Sequence, residues 1–142
     1  MIVKLEIVYT NKSKHVKQVA QDMARWAKTY AKPVQDFSHS QCVDLLVISF
    51  DSRVTKDKEL IEFINSLNRN IVKNVSLVNA FYFNPKQLTK MIKLCQQADL
   101  PLMREQYSFK LNIKHLNQIN PDIINGARLY IEDMINIVRN YY

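Results

Sequence analysis

One glycine, Gly126, serves all 142 residues of this chain. Phosphate-binding loops normally use glycine to bring backbone N–H groups against the ligand, so any such loop here has to work without it. No Gly-x-Ser-x-Gly elbow is present, and Ser49 sits inside an apolar run with no base near it in sequence, which argues against a serine nucleophile. The two cysteines, Cys42 and Cys95, are too few for a disulfide framework; both stand among apolar neighbours and are expected to be buried thiols. His39 and Cys42 are three apart, but no second pair with ligand spacing accompanies them, and His15 and His115 are isolated, so no structural zinc site is expected. No run approaches the ~20 uninterrupted apolar residues of a membrane-spanning helix. Lys4 lies inside the opening apolar run rather than before it, unlike a secretory leader, and the expectation is a soluble, cytoplasmic protein.

What is present is a chain with 47% hydrophobic residues, enough for one globular domain over residues 1–142 that buries roughly two thirds of its unfolded surface. The formal net charge is +7. Such a balance suits an anionic partner, and equally a source whose proteins favour Lys, Asn, Ile and Tyr over Gly. The basic residues are scattered without a long run or a nucleic-acid motif. The expectation is no specific nucleic-acid partner, and at most weak, salt-sensitive, sequence-independent binding.

Hydrophobic periodicity orders the chain. Ile2 to Tyr9 is an apolar strand. Val16, Val19, Ala20, Met23, Ala27 and Tyr30 then recur at helical steps with Trp26 at the stripe's edge, and Pro33 forbids continuation. Pro33 to Phe37 reads as a brief strand, and Asp44 to Phe50 is the near-continuous apolar run of a strand covered on both faces. A helix over Lys56 to Arg69, a strand over Lys73 to Phe83 and a helix opened by Asn84-Pro85 follow; Leu100 to Lys110 is a less apolar, edge-like strand. Leu111 to Ile119 is irregular, and Asn120-Pro121 opens the last helix. Alternating strands and helices require an α/β architecture: a doubly wound, five-stranded parallel sheet with helices on both faces. Lys4 and Glu6, on one face of a strand that should be central, fit this least well.

The first thirty residues carry the strongest functional signal. A strand feeds an amphipathic helix through the short polar loop Thr10-Asn11-Lys12-Ser13-Lys14-His15, which aims the first backbone N–H groups of the helix at the strand's end. That is the layout of an anion site. Ser13 suits a helix cap with or without a ligand. Lys12 and Lys14 read either as charged donors to a phosphate or as solvated surface lysines. His15 reads as a phosphate donor or as an exposed helix-start residue.

In element order, and in the segments Val8 to Val16, Asp44 to Ser49 and Val75 to Leu94, the chain resembles the flavodoxin-like family over nearly its full length. The resemblance implies the strand order 2-1-3-4-5 and noncovalent FMN at the carboxyl ends of the strands, beside the switch point. It implies a phosphate loop over Thr10 to Val16, in which Asn11 and Ser13 stand for the family's first two hydroxyl residues. Lys14 stands for its glycine, His15 for its asparagine and Val16 for its last threonine. Two further loops would flank the flavin ring: Phe50, Asp51, Ser52 and Arg53, running on to Thr55, and Phe81, Tyr82 and Phe83, running on to Asn84. Together the three loops are expected to form the main cleft.

Two functions follow from these residues. One is an FMN-dependent electron carrier or reductase of a small substrate, with a redox protein as partner and no acid–base catalyst. The other is a flavin-free module of the same fold that binds an acidic protein or a phosphorylated small molecule.

Overall fold

In the computed structural model the alternating pattern becomes five strands and four α-helices across the described residues, 2–10, 13–51, 54–112 and 119–141. The strands are β1 (Leu5–Tyr9), β2 (Ala31–Pro33), β3 (Leu45–Phe50), β4 (Val75–Phe81) and β5 (Tyr107–Lys110). The helices are α1 (Lys14–Trp26), α2 (Lys58–Ser66), α3 (Lys86–Gln97) and α4 (Pro121–Tyr141). All strands pair in parallel, in the order β2-β1-β3-β4-β5. All six residues of β3 are buried, because both its faces are covered. Leu45 and Val47 meet the α1–α4 layer, while Leu46, Ile48 and Phe50 meet the α2–α3 layer. Each such side chain contributes about 1.5–3 kcal/mol through removal of apolar surface from water.

Several sequence expectations are corrected. The strand expected over Pro33 to Phe37 is instead Ala31–Pro33 followed by a 3₁₀ turn at Val34–Asp36. The turn lets Val34 and Phe37 both drop into the α2–α3 core, which an alternating strand could not do. The strand expected from Leu100 is regular only from Tyr107; Leu102 makes an isolated bridge to Val75 before the chain leaves the ladder. Cys42 is exposed, because the bridge from Val43 to Val72 turns Val43 inward and its neighbour outward, whereas Cys95 is buried on α3. Glu6 is half-buried and pairs with Lys32 of β2 at 3.2 Å, and the Lys4 backbone N–H bonds Asp44 at 2.9 Å.

Shortage of glycine has structural consequences at helix ends. α1 ends before Ala27 and Tyr30 can join it, through a left-handed turn at Lys28 (φ 62°) that sends the Thr29 N–H to the Ala24 carbonyl at 2.8 Å. Asp99 (φ 55°) does the same after α3, with the Leu100 N–H on Cys95 at 3.0 Å. Glycine normally fills this position, because a Cβ is strained there by roughly 1–2 kcal/mol. Lys28→Gly should therefore raise stability by about 0.5–1 kcal/mol after allowing for the looser unfolded chain. A urea midpoint that stays put or falls would contradict this.

Gly126, in turn, sits within α4 because of what faces it. A Cβ there would collide with the Tyr107 hydroxyl, which donates to the Ile123 carbonyl at 2.9 Å. The Tyr107 ring is stacked on Tyr130 with centroids 5.8 Å apart, so it has little freedom to retreat. Gly126→Ala should cost about 1–2 kcal/mol, overpacking outweighing the ~1 kcal/mol gain in helix propensity. In a Tyr107→Phe background the same substitution should cost markedly less. Equal costs in both backgrounds, measured as a double-mutant cycle, would rule out the collision.

Candidate functional site

Parallel strands all end on one edge of the sheet, so the loops after β1, β3 and β4 leave from neighbouring positions. β1 and β3 are tied there by the Thr10 N–H on the Ser49 carbonyl at 3.0 Å. α1 turns to one face after β1 and α2 to the other after β3, which opens a crevice between them. The first turn of α1 points into this edge. Ser13 caps it, its Oγ accepting from the Val16 N–H at 3.4 Å. Lys14 is exposed. Thr10 is 2% exposed, and its hydroxyl has no hydrogen-bond partner.

The structure separates the sequence candidates. Val16 is wholly buried, and its carbonyl accepts from the Ser49 hydroxyl at 3.2 Å, so it stands in the core where the resemblance has a threonine hydroxyl. Phe50 is also wholly buried, beneath α2 and α3, and offers no surface to a ring. Asp51, Phe81 and Tyr82 are half-buried, with Tyr82 packed against the α1–α4 core. Phe83 is 79% exposed, the one candidate aromatic free to meet a ligand face-on. Asn11, Lys12, Ser52 and Arg53 lie outside the described residues.

Among the described residues, two cavities open at this edge. One, of about 240 Å³, lies over Tyr82, Phe83, Asn84, Lys86 and Gln87. Gln87, which the sequence did not single out, accepts the Val54 N–H at 3.1 Å and so links the loop after β3 to α3. The other, of about 430 Å³, shares among the described residues only His15 with the expected cleft and is otherwise lined by Lys110, Leu111 and Asn112 and by Ile119, Asn120, Pro121 and Ile123. His15 is not the exposed helix-start residue of one sequence reading: it is 6% exposed, and its Nδ1 has no hydrogen-bond partner. The stretch after β5 had looked merely irregular. Its usable signal was Asn120-Pro121, which starts α4 at the same sheet edge as α1.

The sequence matches no protein-family model and no curated protein. The structure does find similar folds. It superposes on a flavodoxin from the domain Archaea with TM-score 0.62 and 9% identity, covering 96% of this chain and 99% of that one. A flavodoxin-like domain from Synechococcus gives TM-score 0.64 at 10% identity, over 95% and 98% of the two chains. Megasphaera elsdenii flavodoxin gives 0.59 at 10%, over 90% and 98%. The chain has the flavodoxin-like fold. Coverage is near-complete on both sides for this flavodoxin-like chain, while identity this low speaks to the fold alone. No helix among the described residues is long and apolar enough to cross a membrane.

Proposed function

We propose that this flavodoxin-like protein binds FMN noncovalently at the carboxyl ends of β1, β3 and β4, and serves in electron transfer or reduction of a small substrate. The observation that carries the reading is the head of α1, standing at the switch point with the buried Thr10 hydroxyl unpartnered beside it. The fit of the residues is uneven along such a ligand. At the phosphate end, Thr10, the first N–H groups of α1 and the Lys14 ammonium supply donors, and Lys12 adds charge from sequence. At the ring end, Phe83 and Tyr82 supply aromatic surface from the loop after β4. The flavin supplies the redox chemistry when bound. The chain's own part is to hold the phosphate, cover one ring face and set the local charge.

A second reading, a flavin-free module for an acidic or phosphorylated partner, is favoured by the burial of Phe50 and Val16, which removes one ring contact and one phosphate contact. FMN titration separates the two: the first reading expects saturable quenching of flavin fluorescence. Replacing Lys12 and Lys14 with alanine should then weaken FMN about ten- to a hundredfold for each lysine that donates to the phosphate, and leave riboflavin nearly unchanged. A chain that ignores excess FMN would transfer the assignment to the second reading.

A further inference from the structure

The cavity beside α4 is not used by the flavin reading. It lies on the α1–α4 side of the sheet edge, whereas none of the described residues in the loops after β3 and β4 that would flank a flavin ring lines it. We propose that it is a second ligand site, one that takes a small organic anion with a short apolar body.

Three observations converge on it. His15 is more than nine-tenths buried, lines the cavity, and leaves Nδ1 without a hydrogen-bond partner. A buried polar atom in that state is destabilising unless something bonds it, and a ligand in the cavity is the available partner. The lining is also divided by chemistry. Leu111, Ile119 and Ile123 give an apolar wall, while His15, Lys110 and Asn112 give a polar one. Lys110 brings a cation, and no carboxylate is among the described residues that line the cavity. Finally, the start of α4 borders it through Asn120, Pro121 and Ile123. The dipole of α4 adds to the preference for negative charge. At about 430 Å³ the space is within the range of small-molecule sites and exceeds what a bare phosphate or carboxylate needs. The excess is bounded by isoleucine and leucine, which is why the ligand carries an apolar body.

The test uses the full chain with Ile methyl and His ring resonances followed by NMR. Hexanoate and hexyl phosphate share the proposed chemistry and differ only in head group; inorganic phosphate lacks the body, and hexanol lacks the charge. Saturable, concerted shifts of His15, Ile119 and Ile123 are expected with at least one hexyl anion, and the tighter of the two identifies the head group. Inorganic phosphate should bind at least tenfold more weakly, since each buried methylene is worth about a factor of four, and hexanol at least tenfold more weakly because it brings no charge to Lys110. Lys110→Met, at an exposed position, and His15→Gln, which keeps a hydrogen-bonding side chain, should each weaken the hexyl anion at least fivefold. No saturable shift with any probe, equal binding of hexanol, or indifference to both substitutions would overturn the proposal. Saturating FMN should leave the hexyl anion's affinity unchanged. Competition would return the cavity to the flavin site, and a failure to bind FMN would remove the flavin reading while leaving this one standing.

Discussion

Phe50→Ala should lower folding stability by about 3–5 kcal/mol, the cost of an empty phenylalanine-sized hole in a packed core. The magnitude follows from position: Phe50 is wholly buried at the end of β3, in the same core as Ile48, Leu60, Ile64 and Met91. Phe83→Ala should change stability by less than ~0.5 kcal/mol, because Phe83 is 79% exposed. The two residues exchange rank for ligand binding. Loss of Phe83 should weaken FMN by about 0.5–1.5 kcal/mol if it covers a ring face, while Phe50→Ala should affect FMN only as far as it unfolds the chain. Urea unfolding and FMN titration of both variants check this. A stable Phe50→Ala protein that has lost FMN would move the ring contact back to the loop after β3.

Raising the pH from 8 to 11 should remove about 4 kcal/mol of stability through two buried groups. Burial pushes the Cys95 thiol from its ordinary 9.0 up to about 12. Burial likewise pushes the Tyr130 hydroxyl from 10.0 up to about 12, with the nearby Glu105 charge acting in the same direction and hydrogen bonds opposing it. Each group is neutral when protonated, and its folded pKa exceeds its unfolded one, so the unfolded chain releases the proton first. Stability is therefore full below about pH 9 and falls as the pH rises toward 12. At pH 11 Cys95 accounts for about 3 kcal/mol and Tyr130 for about 1, at 1.36 kcal/mol per pKa unit. That is a large share of the 5–15 kcal/mol typical of a domain. Chemical unfolding at pH 8 and 11 measures it, and Tyr130→Phe should flatten part of the slope. A stability unchanged up to pH 11 would mean that neither group is sequestered. The same burial makes Cys95 inert to thiol reagents in the native protein at pH 8, while Cys42 reacts at once.

Much of the architecture was legible because it rests on periodicities that local chemistry enforces. The continuous apolar run of β3 could only be a strand covered on both faces, and alternation with amphipathic helices could only close as a parallel sheet. Helix starts were readable from Ser13 and Asn120, since capping is a contact within a few residues, and Asn120 accepts the Asp122 N–H at 2.9 Å; α3 starts one residue later than Asn84-Pro85 suggests, with Pro85 at its cap and no side-chain cap bond. Helix ends were not readable. Nothing in the sequence around Lys28 announces a left-handed turn, because lysine there is tolerated only when the closing hydrogen bonds and the packing of α1 compensate its strain.

The sequence by itself determined most of the elements and their order, properties of neighbours along the chain. The tertiary structure alone decided which candidate aromatics face solvent, since Phe50 and Phe83 differ only in what lies above them. It alone decided that His15 turns toward α4, and that Lys110, Asn112 and Ile123 come to meet it. It also gave the lone glycine its reason, a tyrosine 19 residues earlier in the chain that presses against α4. Burial and side-chain encounter across the sheet depend on distances between segments remote in sequence, which no local pattern encodes.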